Sequence, residues 1–132
     1  MVILKKELYE QIIRQCLREF PWEACGILAG RGETAERVYE MTNADKSPAT
    51  FFMEPREQLQ VMKEIRNRSL DMIGIYHSHV ASDAYPSSRD VDLALYPEVF
   101  TLIVSLSDKN NPSIRSFKIN GDRINEEATA IE

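Results

Sequence analysis

The sequence predicts an α/β domain of α+β character, a mixed β-sheet flanked by about three helices, and three observations carry that expectation. Helix-like and strand-like periodicities are interspersed along the chain. Tight-turn signals at Arg31-Gly32 and Asn120-Gly121 each separate two strand-like stretches, which places antiparallel hairpins among the strands. No Gly-x-Gly-x-x-Gly or phosphate-loop sequence follows a strand, so a doubly wound nucleotide-binding sheet lacks its usual support.

From Lys5 to Phe20 the apolar positions Leu8, Ile12, Ile13, Cys16, Leu17 and Phe20 recur at helical spacing, and Pro21 stops the pattern. ACGILAG (24–30) and GETAERVYEM (32–41) read as the two arms of a hairpin. TNADKSPAT reads as a loop. FFMEP then leads into a second helix from about Pro55 to Ser69, with Leu59, Met62 and Ile65 on its packing side and proline at its start. MIGIYHSHV is a strand, followed by a loop and a third helix from near Ser87 to about Tyr96, ended by Pro97. VFTLIVSLS (99–107) is almost continuously apolar, as a central strand buried on both faces would be. DKNNPS turns the chain, IRSFKI is another strand, and Asn120-Gly121 leads into DRINEE.

The length of 132 residues fits one domain, 1–132, with a core that needs no staple. A net charge of -5 with no basic stripe argues against nucleic acid or an anionic membrane as partner. Cys16 and Cys25 form no metal-binding or redox spacing and are expected to be reduced and structural. The N-terminus carries no signal-peptide core and no run approaches a membrane span, so a cytoplasmic protein is expected.

Both histidines of the chain lie in YHSHVASDAYPSSRD. Alternate residues of a strand face one side, so His77 and His79 project together with Cα atoms roughly 6.5 to 7 Å apart, close enough to share an ion. Ile73 and Ile75 are expected on that same face, as an apolar floor. Taken alone, a His-x-His at a strand end is more often two polar residues with no metal, and other ligands have to shift that reading. Asp90, eleven residues after His79 and in the first turn of the next helix, can supply an oxygen ligand. Ser87-x-x-Asp90 is also a capping box, and the two readings are compatible because a capped helix end fixes where the carboxylate points. Two histidines and one carboxylate leave a tetrahedral position for water, as catalytic zinc sites do. Glu23, directly before an apolar strand, is a candidate base for such a water; its plain alternative is a solvated surface residue.

Glu23, then His77-x-His79, seven residues, Ser87, two residues and Asp90 together resemble the signature of the JAMM metalloproteases, the catalytic members of the MPN domain family. The resemblance extends to PWEACGILAG, FFMEP and GIYHSH, and covers roughly residues 1–120. It implies one zinc ion held by His77, His79 and Asp90 with water as fourth ligand. It implies Glu23 as the general base that passes the proton to the leaving amine, and Ser87 as a hydrogen-bonding partner of the water or the developing oxyanion.

The chain looks most like the small stand-alone prokaryotic branch. Its Ala-Tyr-Pro-Ser loop is similar to members that cut just after the Gly-Gly end of a ubiquitin-like β-grasp sulfur carrier, including carrier–cysteine peptidases of sulfur metabolism. A carrier tail would lie extended in the cleft and pair with a nearby strand edge. Tyr85, Phe51 and Phe52 are expected to border that channel, unless they simply pack. Alternatives are an isopeptidase acting on lysine conjugates, a non-catalytic MPN-type interaction module, and a non-haem iron oxygenase with the same ligand set. The oxygenase explains neither Glu23 nor Ser87.

Overall fold

A computed structural model describes residues 1–132. In chain order the elements are β1 (Val2–Leu4), α1 (Lys6–Glu19), β2 (Cys25–Arg31), β3 (Thr34–Met41), α2 (Pro55–Asn67), β4 (Asp71–His79), α3 (Ser88–Asp92), β5 (Phe100–Ser105), β6 (Ser113–Asn120), β7 (Arg123–Glu127) and β8 (Thr129–Ile131). They form a mixed sheet of eight strands in the order β7-β6-β5-β4-β2-β3-β1-β8. This is the expected α+β class with three helices.

Both hairpins form at glycines in the left-handed region, Gly32 with φ 62° and Gly121 with φ 63°, where a side chain would be strained. β5 is the interior strand its apolar run predicts: it pairs parallel with β4 and antiparallel with β6. The sheet's two outermost strands, β7 and β8, are separated only by Ala128. One C-terminal stretch therefore pairs first with β6 and then with β1, curling the sheet toward closure. Ser116 and Thr129 join their hydroxyls across that seam at 2.5 Å.

The helices pack on opposite faces. Ile12 and Cys16 of α1 bury against Leu28, Tyr76, Leu102 and Val104. Ile65 of α2 buries against Cys25, Ile27 and Met41, with Ile75 packed on that cluster. Both cysteines are free and buried, and burial pushes each thiol up to about 12. Such thiols are inert at neutral pH, as expected of structural cysteines.

Four details differ from the expectation. Short strands β1 and β8 were not foreseen, because three residues are too few to show a period. α3 stops at Asp92 instead of Tyr96: among residues 93–96 only Ala94 packs on a core cluster, and Leu93 and Leu95 are 50% and 73% exposed. Leu59 of α2 points to solvent, leaving Ile65 as the buried residue of that helix. Ile73 does not share a face with Ile75. The pairing of β2 and β4 shifts between Leu28↔Gly74 and Ala29↔Met72, leaving Ile73 as the extra residue of a bulge. The bulge turns Ile73 into the α1-side core, whereas Ile75 packs on the α2 side.

Candidate active site

β4 is paired along its length by β2 on one side and β5 on the other, so its C-terminal end is rigidly placed. From that end His77 and His79 project together and are buried, at 1% and 5% exposure. Their Nε2 atoms stand 3.1 Å apart. Asp90 meets them from α3: its Oδ2 lies 3.0 Å from His79 Nε2 and 3.2 Å from His77 Nε2.

The carboxylate is aimed by the capping box that the sequence suggests. Ser87 N–H donates to Asp90 Oδ2 at 2.9 Å, and Asp90 N–H donates to Ser87 Oγ at 3.1 Å. A cap of this kind contributes about 1 kcal/mol to a helix start. On a helix of five residues its larger effect is to orient the carboxylate.

Three electron-pair donors facing one another at 3.0 to 3.2 Å repel unless a proton or a cation lies between them. His79 Nδ1–H donates to the Asp83 carbonyl at 2.7 Å, which leaves the neutral ring's Nε2 as a bare acceptor. A hydrogen bond from the far ring nitrogen is the usual way a ligand imidazole is oriented. His77 Nδ1 is buried without a partner, and its ring stacks on Phe51 with centroids 4.6 Å apart. The donor spacing is close to the roughly 3.3 Å edge of a tetrahedron built on bonds of about 2.0 to 2.1 Å to nitrogen. His77, His79 and Asp90 therefore form a group that can hold a metal ion.

The charges follow the same logic. Burial holds His77 below the ordinary imidazole value, so it stays neutral. Burial also opposes charge on His79, but the Asp90 carboxylate and the Asp83 carbonyl outweigh it and raise His79. For Asp90, burial is opposed by the two imidazoles and the Ser87 amide, which hold the carboxyl well below the usual range.

Glu23 is 5% exposed, not a solvated surface residue. Burial pushes its carboxyl up to about 7; His79 and Arg89 pull it down and Asp90 pushes it up, all by less. Such a group is poised to exchange a proton near neutrality.

Two residues that the sequence reading passed over hold Glu23 in place. Ala24 N–H donates to Ser78 Oγ at 2.8 Å and Ser78 N–H donates to the Ala24 carbonyl, so the residue between the histidines grips the residue after Glu23. Asn43 Nδ2 donates at 3.0 Å to the carbonyls of both Glu23 and Thr50, while its Oδ1 accepts from Asp45 and Phe52 N–H. Ser78 faces away from the histidines by strand alternation. The available signal was a hydroxyl at a position whose neighbour Tyr76 belongs to the core. Asn43 carried the weaker signal of an Asn in a turn, where its side chain mimics backbone.

A cleft of about 230 Å³ opens beside His77, lined by Phe51, Phe52, Leu93, Leu95 and Tyr96 along with His77 and Asp90. Phe51 and Phe52, expected to border a substrate channel, both line this cleft. Tyr85 does not line this cleft; it packs edge-on against Phe117 with centroids 5.5 Å apart. The strand edge expected for a bound tail is absent at β4, since both of its edges are occupied.

Residues 5–120 match the family model described as prokaryotic homologs of the JAB domain. The CysO-cysteine peptidase of Mycobacterium tuberculosis (strain ATCC 25618 / H37Rv) is 35% identical over 99% of this chain and 91% of its own length. The desampylase of Pyrococcus furiosus is 34% identical, over 69% of this chain and 71% of its own. A solution structure of protein DSY2949 from Desulfitobacterium hafniense superposes with a TM-score of 0.90 at 40% identity, covering 100% of this chain and 93% of that one.

Proposed function

The chain belongs to the family of prokaryotic homologs of the JAB domain, and from that membership we propose that residues 1–132 act as a zinc-dependent peptidase. It hydrolyses the amide bond after the C-terminal Gly-Gly of a ubiquitin-like sulfur-carrier protein and releases an amino acid such as cysteine or a short peptide. The observation that carries this reading is the convergence of His77, His79 and Asp90 within 3.2 Å of one another, beside an apolar cleft. A relative named as a CysO-cysteine peptidase, matching nearly end to end, supports the substrate class. The match to a desampylase keeps removal of a ubiquitin-like modifier from lysine as the second reading.

Zinc at the His77, His79 and Asp90 group would acidify water and polarise the scissile carbonyl. The residues of the chain do the rest. Glu23, ionised, takes the water's proton and returns it to the departing amine, a contribution of about 10² to 10⁴ in rate. Ser87 Oγ already accepts a hydrogen bond from Asp90 N–H, so its own proton is free for an oxyanion. Phe51 and Phe52 flank an extended tail in the cleft beside His77. Incubation with a carrier extended beyond Gly-Gly by one cysteine, and in parallel with a lysine-linked carrier conjugate, tests the reading. Loss of the cysteine supports it, whereas cleavage of the conjugate alone would replace it with the second.

A further inference from the structure

We propose that Arg89 receives the free α-carboxylate of the residue leaving the substrate, and so selects a carrier extended by one amino acid over a lysine-linked conjugate. The inference rests on the peptidase reading above. Arg89 directly precedes Asp90 in the first turn of α3, and its side chain is 52% exposed. Its Nη2 reaches no closer than 3.9 Å to Asp45 Oδ2, a contact beyond hydrogen-bond length. Asp45 Oδ2 already accepts from Thr50 Oγ1 at 3.0 Å. The guanidinium therefore has most of its donors unused.

Its location is what gives those donors a purpose. Asp45 and Thr50 belong to the loop that Asn43 ties to the Glu23 backbone, so the Asp45–Arg89 span runs from the Glu23 side of the site to the Asp90 side. When the bond after Gly-Gly is cut and one residue leaves, its carboxylate carbon sits about 2.5 Å from the departing nitrogen. That anion enters a space already holding the carboxylates of Glu23 and Asp90. Arg89, a permanent cation beside Asp90 in α3, also draws the Glu23 carboxyl down slightly. A guanidinium matches a carboxylate with two parallel hydrogen bonds. A lysine ε-nitrogen brings methylenes to the same place, and gains nothing from Arg89.

The test uses a β-grasp carrier with one cysteine beyond its Gly-Gly end, made by semisynthesis as the free acid or as the primary amide. With the zinc-loaded chain, kcat/KM for the acid is expected to exceed that for the amide by about 10- to 100-fold, the range of a hydrogen bond to a charged group. Arg89→Gln brings that ratio near one, and Arg89→Lys leaves an intermediate ratio. A ratio near one in the parent protein, or a ratio unchanged by Arg89→Gln, overturns the proposal. Binding of the same two carriers to the Glu23→Gln chain, with and without Arg89→Gln, gives the comparison without turnover. Absence of cleavage for both carriers would defeat the peptidase reading alone, while equal binding of acid and amide would still defeat the role of Arg89.

Discussion

The Oγ of Ser78 accepts the Ala24 amide hydrogen at 2.8 Å, which fixes the start of β2 against the end of β4. Ser78 lies between His77 and His79, and Ala24 follows Glu23. With the Ser78 N–H donated back to the Ala24 carbonyl, this contact ties the candidate base to the candidate ligands.

Ser78→Ala should act on both stability and catalysis. The Ala24 N–H is buried and loses its side-chain acceptor, which costs about 1 to 3 kcal/mol in denaturant unfolding. Metal content should stay near that of the parent while kcat falls, since the three donors are untouched and only Glu23 is loosened. An unchanged kcat would show that Ser78 does not set its position.

The pH dependence follows from Glu23. As a base it works ionised, so turnover should fall as pH drops, with a midpoint no higher than about 7, because a bound cation pulls the carboxyl down from that value. In metal-free protein the stability effect has the opposite sense. The folded pKa of about 7 stands above the ordinary 4.5, so the folded state binds this proton more tightly. That contribution is fully present below the ordinary value and is lost as pH rises through about 7. Glu23→Gln should therefore raise Tm relative to the parent at pH 8, and by less at pH 5. A constant difference between the two pH values would contradict the burial of this carboxyl.

Removing a donor should show in metal affinity before it shows in fold. A ligand at 100 times its Kd stabilises a folded chain by about 2.7 kcal/mol, and zinc at the proposed site would do the same. Thermal scans of the parent should shift upward with added zinc and return with chelator, whereas His77→Ala and Asp90→Asn should lose most of the shift. A full zinc-induced shift in His77→Ala would contradict the donor assignment.

Gly26 tests the packing that supports the site. A Cβ there would stand 2.2 Å from the Tyr76 ring, whose hydroxyl donates to Gln15 Oε1; Gln15 Nε2 in turn donates to the Cys25 carbonyl at 3.0 Å. Gly26→Ala should cost about 1 to 3 kcal/mol or more, as overpacking does. Tyr76→Phe should cost about 1 to 3 kcal/mol by leaving the buried Gln15 acceptor unpaired. Chemical denaturation measures both, and a neutral Gly26→Ala would mean that Tyr76 has room to move.

Much of this was legible because period and turn chemistry are local. The alternation through His77 and His79, the apolar run of β5, and glycines at positive φ each carry their structure in a few adjacent residues. The spacing of His77, His79, Ser87 and Asp90 likewise survives into the convergence seen in three dimensions. What stayed hidden depends on contacts between distant segments. The bulge at Ile73 appears only when β4 is laid against β2. The early end of α3 depends on what the residues beyond Asp92 find to pack against, and the pairing of β8 with β1 joins residues more than 100 apart in sequence. Tyr85 sits in the loop after the histidines, yet Phe117 from β6 draws it away from the cleft lined by Phe51 and Phe52.

The most direct test of the account pairs metal analysis with turnover in the parent chain and in Glu23→Gln. Both should bind one zinc per chain, and only the parent should release cysteine from a carrier ending Gly-Gly-Cys, read as loss of one residue from the intact mass. Cleavage by Glu23→Gln at the parent rate, or stoichiometric zinc in the parent with no cleavage of any carrier, would contradict it.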